Sequence, residues 1–267
     1  MTEYILFHGK KIAYQQSGSG NNLVLLHGFM ERKEIWNSFQ AELSENYKVT
    51  LIDLPGHGES ECVAEEHTMV LQSLAIKQVL DELNILECVM IGHSMGGYVT
   101  LHFAENYGSM LKGFGLFHSH ALADSEEAKQ NRLRAIEIVR KNRTVFISNF
   151  IPDLFAPENR ERLKDEINLL QEGVSEMSAE AIIASQLGMR SRDSKVDVLA
   201  GSKVPVLFIF GKQDSRTSLD KILPQTVLPT YSVIHILDVG HMGYLEAYLE
   251  TLEAVRSFTS VCFKEEN

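Results

Sequence analysis

A chain of 267 residues, 44% of them hydrophobic, is long enough for one large core and too apolar for disorder. Its formal charge of -11 would repel a phosphate backbone, and no stretch clusters Lys and Arg with interleaved aromatics, which excludes nucleic acid as a partner. Met1 to Phe7 lacks the basic start and apolar core of a signal peptide, and the longest apolar run, Val204 to Phe210, is far short of the ~20 residues of a membrane helix.

Cys62, Cys88 and Cys262 are odd in number and widely spaced, which supports neither a disulfide framework nor a zinc cluster. The expectation is a soluble, cytoplasmic protein with no membrane partner and a small-molecule substrate. Its oligomeric state does not follow from these residues.

In chain order, short runs of Val, Ile, Leu and Phe predict strands over 4–7, 11–17, 23–26, 48–52, 88–91, 113–117, 206–210 and 232–237. The first two read as a hairpin around His8-Gly9, and the rest as mostly parallel. Apolar residues returning every three or four positions predict helices over 35–43, 69–83, 97–106, 219–227 and 249–258. Strands alternating with helices make the fold class α/β, a mostly parallel sheet flanked by helices.

Residues 119–203 break that rhythm. They contain no convincing strand and read as successive helices over 125–141, 144–150, 158–171 and 179–190. A structureless loop of that length is improbable inside a compact domain, so this segment is expected to be an inserted helical cap on a core made of 1–118 and 204–267.

Gly92-His93-Ser94-Met95-Gly96 places a G-x-S-x-G motif after an apolar strand and before a helical pattern, the context in which the motif has meaning. In so tight a turn a Cβ two positions either side of the serine would clash, while Ser94 itself is strained and its hydroxyl projects. The competing reading is an N-cap serine in a glycine-rich turn.

A serine hydroxyl is a weak nucleophile and needs a base that takes its proton and later returns it. His241, in the glycine-flanked loop after the last strand, is the candidate. Asp214, after the strand before it, is the candidate carboxylate that fixes the imidazole. A solvated loop histidine and a plain turn aspartate are the bland alternatives. The backbone N–H groups of Phe29, after His27-Gly28, and of Met95 are expected to form an oxyanion hole, with Gly28 giving close approach to ligand. His27 and His93 read as braces rather than catalysts.

With these motifs in hand, the chain resembles the α/β-hydrolase superfamily. The resemblance runs through H-G-F at His27 to Phe29, D-L-P-G-H-G at Asp53 to Gly58, G-H-S-M-G-G at Gly92 to Gly97, F-G-K-Q-D at Phe210 to Asp214 and G-H at Gly240-His241. It looks most like small carboxylesterases with a helical cap. That implies an eight-stranded sheet, a cap after the sixth strand, the order Ser94, Asp214, His241, no metal or organic cofactor, and water as acyl acceptor. Asp53 to Gly58 gains no catalytic role from it. Relatives with an aspartate nucleophile are disfavoured by Ser94, but thioesterases, lactonases, carbon-carbon bond hydrolases, perhydrolases, peptidases and acyltransferases share the triad. A low-turnover small-molecule receptor on the same fold is a further alternative.

Substrate contacts are expected from the cap and the cleft rim, with Trp36, His118, Phe150, Phe155 and Met189 as candidates and Phe146, Ile151, Leu154 and Leu187 behind them. His118-Ser119-His120 with Asp124 has the spacing of a metal pair but reads more readily as cleft lining.

Overall fold

A computed structural model describes residues 1–264. Its frame is one eight-stranded sheet in the order β1-β2-β4-β3-β5-β6-β7-β8. Strands β1 (Thr2–Phe7) and β2 (Lys10–Ser17) form the hairpin, turning at His8 and Gly9, both with positive φ. β2 joins β4 (Lys48–Ile52) antiparallel. From there β3 (Asn22–Leu26), β5 (Cys88–His93), β6 (Leu111–Phe117), β7 (Val206–Gly211) and β8 (Ser232–Leu237) are all parallel.

Every residue of β5 and β7 is buried, which is why these strands read as unbroken apolar runs rather than alternating ones. The edge strand β8 alternates partly exposed and exposed positions instead.

Helices α1 (Asn37–Leu43), α2 (Met69–Glu82) and α3 (Met95–Tyr107) connect the first strands. Thr68 caps α2 by accepting from the Leu71 N–H at 3.1 Å. Between β6 and β7 lie α4 (Glu126–Phe150), α5 (Lys164–Ser175), α6 (Ala179–Ser191) and α7 (Val196–Ala200), with α4 packed on α5 and α6. The chain closes with α8 (Leu219–Ile222), α9 (Gly243–Glu246) and α10 (Tyr248–Cys262).

Some expected boundaries move. The break expected between residues 141 and 144 is a kink inside α4, where Asn142 leaves helical geometry and its side chain accepts from the Val145 N–H at 3.1 Å. The helix expected from 158 begins only at Lys164, because Ala156 and Asn159 are held by Glu246 across the fold. The helix expected over 219–227 stops at Ile222, since Pro224 lacks the N–H that would continue it.

The Asp53 to Gly58 motif is a buried ionic turn. The fully buried Asp53 carboxylate accepts from the Lys33 N–H at 2.7 Å, from Lys33 Nζ at 3.0 Å and from the Glu59 N–H at 3.0 Å. Gly58 has φ +53°, and a Cβ there would overlap the Asp53 carboxyl group. This anchors the loop after β4 against the segment after β3. Among the described residues no helix is long and apolar enough to cross a membrane.

Candidate active site

Parallel strands bring their carboxyl ends to one edge, and the site is assembled there from the ends of β3, β5, β6, β7 and β8. Three non-glycine residues at this edge have positive φ: Met30 after β3, Ser94 after β5 and His118 after β6. Strain concentrated in this way is common at working sites. At Ser94 the backbone is at φ 49°, ψ -114°. A Cβ on Gly92 would overlap the Gly96 backbone, and one on Gly96 would lie 2.6 Å from the His27 carbonyl oxygen, so both glycines are steric requirements of the turn.

Ser94 is the one partly exposed residue between buried neighbours. Its Oγ lies 2.9 Å from His241 Nε2, and His241 Nδ1 lies 2.8 Å from Asp214 Oδ2. The structure therefore brings the three residues together in one hydrogen-bonded line, although they stand 147 and 27 positions from His241 in the chain.

Asp214 accepts from more than His241. His118 Nδ1 and Thr217 Oγ1 also donate to Oδ2, and the N–H groups of Arg216 and Thr217 donate to Oδ1 at 2.8 and 3.1 Å. Burial alone would raise its pKa. The charge of His241 and hydrogen bonds from His118 and His241 outweigh burial and hold it well below the ordinary carboxylate range.

The loop carrying His241 is pinned from behind. Its N–H donates to the Leu154 carbonyl at 2.7 Å, and the Glu246 carboxylate collects the N–H groups of Gly240, Met242 and Ala156.

The N–H groups of Phe29 and Met95 meet no protein acceptor among the described residues, as befits a turn residue and the first residue of a helix. The Phe29 loop is set by Glu31, a residue the motifs did not flag. Glu31 Oε2 accepts from the Gly28 N–H at 2.5 Å and from His93 Nδ1 at 2.8 Å, and Oε1 accepts from the Tyr244 hydroxyl at 3.0 Å.

His93 Nε2 donates in turn to the His241 carbonyl at 2.9 Å. With both ring nitrogens donating, His93 is an imidazolium. Burial lowers its pKa, but the Glu31 charge and hydrogen bonds more than reverse this. His93 thus braces the Ser94 turn, the Phe29 loop and the His241 loop. His27 is also a brace, with Nδ1 donating to the Gly28 carbonyl at 2.7 Å and Nε2 accepting from the Leu54 N–H at 3.0 Å. The space in front of Gly28 is filled by Glu31 and His93, so its lack of a Cβ serves this packing and not the approach of a ligand.

The cleft over Ser94 holds about 690 Å³, within the range of small-molecule sites. Phe150, Met189, Phe146 and Leu154 line it, with Phe150 edge-on to Phe29 at 5.5 Å. Three expected contacts are corrected. Trp36 is fully buried beneath the site against Phe39, Phe117 and Tyr244. Phe155 is 2% exposed, because its segment docks on the His241 loop and turns the ring into the core. His118 faces Asp214 from behind and does not line the cleft. Leu187 lies on a different surface, beside Leu133 and Ile136 of α4.

The metal pair read from His118 and His120 does not converge. His118 is committed to Asp214, while His120 Nδ1 accepts from the Leu122 N–H at 3.1 Å and Asp124 binds arginines. Among the described residues, His118, Asp214 and His241 do have ligand atoms within 4.8 Å of one another, a proximity that their hydrogen bonds already account for.

A strained serine at a strand-to-helix turn, a histidine and a carboxylate from later strand ends, and an eight-stranded, mostly parallel sheet define an α/β hydrolase. The chain belongs to the Alpha/beta hydrolase family, whose model matches residues 23–254. Lipase 1 of Psychrobacter immobilis is 24% identical over 264 residues, covering 96% of this chain and 83% of the lipase. A thermophilic esterase from Thermogutta terrifontis, solved with malate bound, superposes with TM-score 0.93 at 27% identity over 99% of this chain and 100% of that one. The enol-lactonase of Burkholderia xenovorans LB400 shares the fold, with TM-score 0.90 at 20% identity over 97% of this chain and 100% of that one. Other relatives are matched over less of their length, such as 63% of the acetyltransferase component of the acetoin cleaving system of Pseudomonas putida. The family is one of hydrolases, and the matched relatives include a lipase, an esterase and a lactonase.

Proposed function

We propose that the protein is a serine hydrolase that cleaves a small carboxylic ester through an acyl-Ser94 intermediate. The observation that carries this reading is the hydrogen-bonded line from Ser94 Oγ to His241 Nε2 and on from His241 Nδ1 to Asp214.

As Ser94 Oγ attacks the ester carbonyl, His241 Nε2 takes its proton, and Asp214 holds the ring by Nδ1–H and stabilises the imidazolium that forms. The carbonyl oxygen becomes an oxyanion before the Phe29 and Met95 N–H groups, each worth about 3 kcal/mol of barrier when such donors are in place beforehand. Collapse expels the alcohol, which takes the proton from His241. Water then enters, gives its proton to His241 and attacks the acyl carbon, and the carboxylic acid leaves as Oγ is reprotonated. No step calls on a cofactor.

In this reading residues 119–203 are the cap that roofs the cleft on a core of 1–118 and 204–267, and Phe150 and Met189 contact the substrate. The family relatives support ester chemistry, and the widely spaced cysteines suit a reducing cytoplasm. The test is hydrolysis of a short p-nitrophenyl ester by the wild type and by Ser94→Ala. A burst of p-nitrophenol from the wild type, lost in the variant, is expected; wild-type rates in Ser94→Ala would overturn the assignment.

A further inference from the structure

The cleft carries a charge surplus that ester hydrolysis does not use. On the cap side, Arg132 of α4 and Arg192 just after α6 share one carboxylate, Asp124. Arg192 Nη1 lies 2.6 Å from Oδ1, and Arg132 Nε pairs with Oδ2. Two cations on one anion leave a net positive charge in that wall. Lys221, which also lines the cleft, has no ion-pair partner among the described residues. Arg216 lies 4.8 Å above the Phe150 ring and is paired with Asp153.

Of the other carboxylates of the wall, Glu31 balances the His93 imidazolium. Asp214, whose charge its hydrogen bonds from His118 and His241 do not cancel, offsets Lys221, so that the arginine pair's one positive charge is the surplus.

This surplus is built rather than incidental. The Arg192 side chain is 3% exposed, its guanidinium is stacked 3.9 Å from the Tyr98 ring centroid, and Nη1 also donates to the Met189 carbonyl at 2.8 Å. Nε of Arg192 has no hydrogen-bond partner. His120, beside them, adds no charge, since burial and then the charges of Arg192 and Arg132 push its pKa down to about 3. Withdrawing an excess cation from water is costly unless an anion compensates it, and the chain as a whole carries -11. A guanidinium fork fits a planar carboxylate in particular.

We propose that the substrate is an ester bearing a free carboxylate, which the Arg132–Arg192 wall binds while the ester carbonyl reaches Ser94. This rests on the serine hydrolase reading and narrows its substrate class. One surplus charge suits one carboxylate, on either the acyl or the alcohol half.

Two matched pairs test it: mono-p-nitrophenyl glutarate against its methyl-capped diester for the acyl half, and 4-acetoxybenzoate against methyl 4-acetoxybenzoate for the alcohol half. In at least one pair the carboxylate should exceed its capped counterpart in kcat/KM by about tenfold or more, chiefly through KM, with added salt narrowing the gap. Arg132→Gln and Arg192→Gln should each reduce that ratio by about tenfold. Capped esters equal to or better than both carboxylates in the wild type would overturn the proposal, as would a ratio unchanged in both variants.

Binding of glutarate and of glutaramide to the Ser94→Ala protein gives a readout free of catalysis and of arginine variants that fail to fold. Glutarate should bind at least about tenfold more tightly, and equal affinities would overturn the proposal. Preferential glutarate binding by a protein that turns over none of the four esters would sink the hydrolase reading and leave the anion site standing.

Discussion

His118 and His241 donate to the same oxygen of Asp214, with Nδ1 to Oδ2 distances of 3.0 and 2.8 Å. One imidazole faces Ser94 and the other stands behind the carboxylate, so Asp214 is gripped between them. His118→Leu removes a donor from a buried carboxylate and should cost about 1–3 kcal/mol in urea unfolding. It should also lower kcat with Ser94 still reactive to a fluorophosphonate. Unchanged kcat and unchanged stability would show that the second imidazole does nothing for Asp214.

The Glu31–His93 pair ties three loops of the site together. Glu31→Leu leaves the His93 imidazolium and the Gly28 N–H without their buried acceptor. Breaking such a pair is expected to cost about 3–5 kcal/mol, measurable by chemical denaturation. Activity should fall further than stability alone explains, because the Phe29 N–H loses its fixed position.

Gly92→Ala tests the turn itself. Its Cβ would meet the Gly96 backbone, which cannot yield as a side chain could. A displacement of a reacting group by about 1 Å can cost about a hundredfold in rate, so, with Ser94 as the proposed nucleophile, kcat/KM for a p-nitrophenyl ester should fall at least that far. An alanine variant with near wild-type activity would refute the steric account of the motif.

Stability should depend on pH with a definite sign. Burial lowers the pKa of seven histidines, His27, His57, His67, His102, His118, His120 and His235, below the ordinary 6.5. The unfolded chain therefore binds more protons in acid, and stability is lost as pH falls below about 6.5. The depressed carboxyls of Glu31 and Asp214 add a second loss as pH falls below their ordinary values of 4.5 and 3.8. His93 acts in the opposite sense: its raised pKa contributes stability fully present below 6.5 and lost as pH rises through its folded value. Thermal midpoints recorded from pH 8 to pH 4 should fall on the acid side, and a flat profile between pH 6.5 and pH 5 would contradict this balance of seven against one.

The sequence was most legible where local chemistry and global packing ask for the same residues. Buried strands must be apolar throughout, and the turn at Ser94 tolerates only glycine at 92 and 96, so both could be read from residue types and spacing. Glu31 and Glu246 are not legible in the sequence, because an isolated carboxylate looks like surface until its partners, 62 and 90 positions away, are brought beside it. Trp36 and His118 are expected at the cleft rim and Phe155 in the lining from the 119–203 segment, because a ring's place in the chain does not say which way it points. The fold turned all three inward, and left Phe150 and Met189 facing the cleft. The arginine pair on Asp124 was hidden for the same reason: Arg132 and Arg192 are 60 positions apart and meet only through the packing of α4 on α6.

The central claim is that Ser94 becomes acylated. The most direct measurement is the mass of the protein quenched during turnover of p-nitrophenyl acetate, followed by peptide mapping. The account predicts one added acetyl group, located on Ser94 and absent from Ser94→Ala. Turnover with no acylated intermediate, or with the acetyl group on another residue and undiminished in Ser94→Ala, would contradict it.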